Sequence, residues 1–120
     1  MNYKFTIIVP VYNEEDNLER VEKELLAYTK IASLPTKILF VNDGSKDSSQ
    51  QLIEDICNRN TAFNYILFEA NRGLSAAIKA GFDYADTELV GYIDSDLQTA
   101  PEDFNLLLKH IDTYDLVTGV

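Results

Sequence analysis

Asp94-Ser95-Asp96 sets two carboxylates two residues apart, directly after the apolar run Leu89-Val90-Gly91-Tyr92-Ile93. In extended backbone such residues face the same side, where two carboxylates repel unless a cation sits between them. Hard oxygen donors suit Mg2+ or Mn2+, which keep several waters and also take phosphate oxygens. Gln98 offers a neutral carbonyl as a further ligand. The competing reading makes Asp94 and Asp96 solvated turn residues ahead of a Thr99 cap. The motif alone is too common to decide between them; its place after a buried-looking strand favours the cation.

Three more polar clusters follow apolar runs. They are Tyr12-Asn13-Glu14-Glu15 after Phe5–Val11, Asn42-Asp43-Gly44-Ser45 after Lys37-Ile38-Leu39-Phe40-Val41, and Glu69-Ala70-Asn71-Arg72-Gly73 after Tyr65-Ile66-Leu67-Phe68. Asp43 is placed to accept hydrogen bonds from a base or ribose, or to form an Asx turn that starts the next helix. Tyr12 offers a stacking face and Asn13 a polar handle; the plainer reading is a half-buried aromatic and a helix cap. Asn71-Arg72-Gly73 opens a helix, where backbone N–H groups and the dipole favour an anion. Arg72 and Lys79 are the candidate phosphate partners, with a solvated helix face as the alternative for Lys79.

The elements that must position these residues alternate in kind. Short β-branched runs lie at Phe5–Val11, 37–41, 65–68, 89–93 and 116–118. Near-continuous apolar runs indicate strands covered on both faces. Between them, Leu18, Val21 and Leu25 share a helical face. So do Leu52, Ile53, Ile56 and Cys57; Leu74, Ala77, Ile78, Phe82 and Ala85; and Phe104, Leu107, Leu108 and Ile111. Asn13 ahead of Glu14, Glu15 and Asp16 reads as a helix start. Asp47/Gln50 and Thr99/Glu102 read as capping boxes, with Pro101 in the first turn of the last helix. The order β-α-β-α-β-α-β-α-β predicts an α/β fold, a three-layer, doubly wound, mainly parallel sheet. Ligands of such sheets bind beyond the carboxyl ends of the strands, where the four polar clusters fall.

The 120 residues form a single domain. Because the last strand reaches Gly119-Val120 with nothing to cover it, the expectation is the N-terminal part of a longer protein. Twenty acidic residues against ten basic ones give a net charge of −10, which argues against nucleic acid or anionic lipid as partners. A phosphate ligand stays open if a cation accompanies it. The single Cys57 fits a reducing compartment and packs as a small core residue, and His110 reads as a surface residue. No apolar run approaches membrane-spanning length, and Met1 is followed by polar Asn2-Tyr3-Lys4, so the cytosol is the expected location. Neither a Gly-x-Gly-x-x-Gly nor a P-loop lysine motif is present.

Taken together, Ile8-Val9-Pro10-Val11-Tyr12-Asn13-Glu14, Val41-Asn42-Asp43-Gly44-Ser45, Asn71-Arg72-Gly73 and Asp94-Ser95-Asp96-Leu97-Gln98 resemble the family 2 inverting glycosyltransferases. The run from Tyr92 to Glu102 is most similar to the dolichol-phosphate mannose synthase-like subgroup. The resemblance covers essentially the whole chain and implies a GT-A fold. It implies that a nucleoside-diphosphate sugar binds at the carboxyl edge, with Pro10, Tyr12, Glu14 and Asp43 lining the nucleoside pocket. It further implies that Asp94, Asp96 and Gln98 hold the cation and the diphosphate, with Ser95 among the substrate-binding residues. The acceptor implied is a polyprenyl phosphate or a glycan. Family members continue further, and the acceptor region, the catalytic carboxylate and, in many, membrane helices lie there. No catalytic base is therefore assigned within this chain. The 120 residues alone are expected to transfer no sugar, and the longer parent is expected at the inner face of the membrane. In the family a later strand inserts beside the fourth. Its absence would leave a bare sheet edge that invites a homodimer.

Two other classes compete. A nucleotidyltransferase with a related sheet shares the pattern. A response-regulator receiver has the right length, but it needs an Asp after strand three and a Lys after strand five. Here Glu69-Ala70-Asn71 and Gly119-Val120 stand instead. A phosphatase of the haloacid-dehalogenase type places Asp-x-Asp after its first strand, not its fourth.

Overall fold

Strand β1 (Phe5–Val11) is buried along all seven of its residues. That requires neighbours on both edges and layers on both faces, and the fold supplies each. The structure, a computed structural model, describes residues 2–93. After β1 come α1 (Leu18–Ile31), β2 (Thr36–Asn42), α2 (Ser49–Arg59), β3 (Phe63–Leu67), α3 (Leu74–Tyr84) and β4 (Leu89–Tyr92). The predicted alternation holds across this span. The helix and strand expected near 104–111 and 116–118 lie outside the described residues, as does the expected edge pairing.

All strand pairs are parallel, with Phe5 opposite Thr36 in β2 and opposite Leu89 in β4, and Ile38 opposite Phe63 in β3. The order is β3-β2-β1-β4. The chain thus builds outward in one direction through β2 and β3, then returns to the other side of β1. The reversal between β1 and β4 is the switch point at which open α/β sheets bind ligands. A receiver runs 2-1-3-4-5, so this order excludes that reading.

The pleat divides the core into two layers. Phe5, Ile7, Val9 and Val11 of β1 and Ile38 and Phe40 of β2 face α1 and α2. Ile8, Leu39, Val41 and Val90 face α3. Helix α1 buries Leu18, Val21, Leu25 and Tyr28, the predicted face carried one turn further. Each such side chain contributes roughly 1.5–3 kcal/mol by leaving water.

Four local expectations are corrected. Helix α1 begins at Leu18, not at the acidic cluster, and Asn13 is no cap: its φ of 52° places it in the left-handed region. The Asp47/Gln50 capping box does not close. Asp47 Oδ1 accepts the Ser49 N–H, while the Gln50 side chain is drawn away to Asn42 and Glu54. Helix α3 buries Ala77 and Gly81, and the predicted Leu74 is 55% exposed. Gly81 sets this rotation, because a Cβ there would stand 2.6–2.8 Å from three side-chain carbons of Ile8. Finally, β3 is an outer strand that buries only Phe63, leaving Tyr65 and Leu67 exposed rather than covered on both faces.

Candidate functional site

Pro10 explains why the sheet opens where it does. Ile93 N–H donates to the Ile8 carbonyl at 3.0 Å, so Ile8 faces β4. Strand alternation turns Pro10 to the same side, and proline has no N–H to continue a ladder. On the opposite side, Val11 still accepts the Asp43 N–H at 2.8 Å, which keeps β1 and β2 joined to their ends. Pro10 is buried at this point, and Tyr12, the next residue past the strand, is 43% exposed.

The loops after β1 and β2 hold each other. Asn13 N–H donates to Ser45 Oγ at 2.9 Å, and Asn13 Oδ1 accepts the Lys46 N–H at 2.8 Å. Glu14 N–H donates to the buried Ser49 Oγ at 2.9 Å. Glu15 N–H reaches Asp47 Oδ2 at 3.3 Å, while the Glu15 carboxylate accepts the Ser48 N–H at 3.0 Å. The acidic run is therefore a loop whose backbone donors are satisfied across the fold, which is why the helix starts late. The Glu14 carboxylate itself accepts from Asn17 Nδ2 at 2.6 Å. Ser45, Lys46 and Ser49 were not singled out from the sequence. Their serines follow the Asp43-Gly44 turn, a signal of loop structure but not of its partner.

Asp43 is 5% exposed, and its carboxylate grips the loop after β3. Oδ1 accepts the Arg72 N–H at 2.6 Å, and Oδ2 accepts the Gly73 N–H at 2.9 Å and Asn71 Nδ2 at 3.0 Å. The donors at the start of α3 thus already serve an anion, and that anion is internal. Gly44 makes the approach possible: with φ of 70°, a Cβ there would lie 2.5 Å from the backbone of Ala70 and Asn71. Behind it, buried Asn42 accepts the Ser45 N–H and donates to Gln50.

The Arg72 guanidinium lies 4.8 Å over the ring of Phe68, which is buried at the end of β3. Such stacking contributes roughly 0.5–1 kcal/mol at exposed sites. Lys37, Arg59 and Lys79 are each held by a carboxylate, whereas Arg72 pairs with none among the described residues. Lys79 is exposed on α3 and bound to Asp83 at 2.8 Å, as the solvated-face reading has it. Asp94, Ser95, Asp96 and Gln98 lie outside the described residues. Among the described residues, no three His, Cys, Asp or Glu side chains cluster closely enough for a metal ion. Cys57 packs against the α1–α2 core, and burial pushes its thiol up to about 11, far from a nucleophile's range.

The loops after β1, β2 and β3 thus converge at the carboxyl edge, and β4 ends beside them. The profile of glycosyl transferase family 2 matches residues 6–120. The chain belongs to this family. It is 37% identical over 118 residues to an uncharacterized glycosyltransferase of Synechocystis sp., covering 98% of this chain and 37% of that protein. It is 34% identical over 116 residues to the undecaprenyl-phosphate 4-deoxy-4-formamido-L-arabinose transferase of Proteus mirabilis, covering 95% and 36%. The chain therefore spans little more than a third of these relatives. Among solved structures, S. aureus TarS in complex with UDP-GlcNAc superimposes with a TM-score of 0.72 at 25% identity, covering 92% of this chain and 31% of that one. A mannosyltransferase from Pyrobaculum calidifontis, solved with GDP-Man and Mn2+, gives 0.76 at 20% identity, covering 91% and 32%, and shows the shared fold. The GT-A architecture is that of these glycosyltransferases. Among the described residues no helix is long and apolar enough to cross a membrane.

Proposed function

We propose that this chain is the donor-binding part of a glycosyltransferase that takes a nucleoside-diphosphate sugar together with Mg2+ or Mn2+. The observation that carries the reading is the convergence of the Tyr12, Asp43 and Arg72 loops beside the switch point between β1 and β4. Tyr12 and Pro10 form one wall of the nucleoside pocket, with Asn13 and Glu14 in its supporting loop and Asp43 at its floor. Arg72 answers the phosphates, and Lys79 stays with Asp83 at the margin. Asp94, Ser95, Asp96 and Gln98, next in sequence after Ile93, complete the site. Two carboxylates and an amide carbonyl make an all-oxygen donor set, which fits these ions. A bound divalent cation would neutralise charge growing on the departing nucleoside diphosphate.

In the whole protein the acceptor is a polyprenyl phosphate. The support is the P. mirabilis relative, whose name specifies undecaprenyl phosphate. An anionic acceptor oxygen needs little help from a general base, in keeping with none being assigned in this chain.

Calorimetry with UDP, GDP and dTDP, with and without Mn2+, tests the reading. One nucleotide should bind in a cation-dependent manner. At 100 times its dissociation constant it should stabilise the fold by about 2.7 kcal/mol. Asp96→Ala should remove the cation-dependent part. Binding that is equally tight in EDTA would refute the metal role, and no binding by any nucleotide would refute the donor site.

A further inference from the structure

We propose that Asp43 is the positioning residue for Arg72: its carboxylate fixes the 71–73 backbone so that the Arg72 guanidinium stands over Phe68, presented to the donor's diphosphate. This rests on the donor-binding reading above and assigns Asp43 a role other than reading the base. Three donors already fill most of the carboxylate's roughly four acceptor positions, and the group is 5% exposed. Two of those donors are the backbone N–H groups of Arg72 itself and of Gly73. Asn71 Nδ2 adds a second tie, to the Asp43 carbonyl at 3.2 Å. The loop is therefore fixed from β2, while the side chain it carries is fixed from β3 by Phe68. The base of Arg72 and the tip of Arg72 are set by different strands, which leaves its N–H fork pre-aimed and unpaired by any described carboxylate. Holding a phosphate-binding group ready lowers the ordering cost paid on binding.

The test is a double-mutant cycle on this chain with Asp43→Asn and Arg72→Ala. It is read by calorimetry with UDP and GDP in Mn2+, and by chemical-shift titration with uridine and guanosine. Asn turns an NH2 group toward the loop donors and breaks the clamp while keeping the shape. The diphosphate should bind about ten- to a hundredfold more weakly to Asp43→Asn, the worth of lost charge-assisted hydrogen bonds. Nucleoside affinity should change by less than about twofold, and Asp43→Asn should cost no more than that in the Arg72→Ala background. Equal losses for nucleoside and diphosphate, or losses that multiply in the double variant, would overturn the proposal. Amide exchange needs no ligand: the Arg72 and Gly73 N–H groups should exchange faster in Asp43→Asn, and unchanged protection would also overturn it. If Asp43→Asn fails to fold, Asn71→Ala loosens the same clamp and should weaken diphosphate binding selectively. Failure of the unaltered chain to bind any nucleoside diphosphate would sink the donor reading and Arg72's role together. Binding with multiplicative losses would sink the positioning role alone.

Discussion

The Asp43 carboxylate meets the Arg72 backbone N–H at 2.6 Å, joining positions 29 residues apart in sequence. Strand β2 and the head of α3 are tied together through this side chain, on the rim where the site is built. Replacing Asp43 with Ala strands the Arg72 and Gly73 donors at a buried spot. The expected cost is about 2–4 kcal/mol, read as a lower urea midpoint at unchanged slope. Asn71→Ala removes one neutral donor and should cost about 1 kcal/mol. A loss in Asp43→Ala no larger than in Asn71→Ala would mean that water replaces the clamp.

Gly44 and Gly73 both have positive φ, at 70° and 99°, but only Gly44 is also crowded. Alanine at Gly73 meets nothing within 4 Å and incurs backbone strain alone, roughly 1–3 kcal/mol. Alanine at Gly44 adds a backbone clash at 2.5 Å, which should force the 70–71 segment off Asp43. Gly44→Ala should therefore be the more destabilising of the two, and it alone should deprotect the Arg72 amide. Equal thermal shifts for the two variants would show that the loops separate without cost.

Glu22 of α1 binds Arg59 at the end of α2, with Oε1 2.6 Å from Nη2 and Oε2 accepting from Asn60 Nδ2 at 2.8 Å. The Arg59 hydrogen bond, helped by Asn60 and opposed by burial, holds the Glu22 carboxyl below its ordinary value of 4.5. A depressed folded value stabilises the fold above the unfolded one and is lost as pH falls through the folded one. Glu22→Gln should thus lower the urea midpoint at pH 7. The gap from the parent should close progressively below about pH 4.5, Glu22's ordinary value. A gap that persists at pH 2 would assign the effect to packing instead.

The sheet was legible in the sequence because β-branched runs such as Phe5–Val11 can only be central strands when helical patterns separate them. Its carboxyl-edge loops were legible for the same reason, since each polar cluster followed such a run. What Asp43 and Asn13 bind was not legible. Their partners come from other loops, and only the β3-β2-β1-β4 order brings those within reach. The late start of α1 has the same cause: an acidic cluster that suits a helix dipole instead satisfies the turn before α2. The buried stripe of α3 escaped because periodicity weights large apolar residues. Close approach to Ile8 selected Ala77 and Gly81 instead.

Asn13 gives the last prediction, because its backbone and side chain can be tested separately. Its φ of 52° costs most residues but is tolerated by asparagine and free for glycine. Its Oδ1 accepts the Lys46 N–H at 2.8 Å, and its own N–H donates to Ser45 Oγ whatever the side chain. Asn13→Gly loses only the side-chain bond, about 0.5–1.5 kcal/mol. Asn13→Ala loses the same bond and adds left-handed strain of roughly 1–2 kcal/mol. Alanine should therefore be the worse substitution, against its usual advantage over glycine. Both should loosen the loop that carries Tyr12 and weaken nucleotide binding in that order. If Asn13→Ala proves as stable as Asn13→Gly, the left-handed turn is not maintained in solution, and the loops after β1 and β2 are not held together through it.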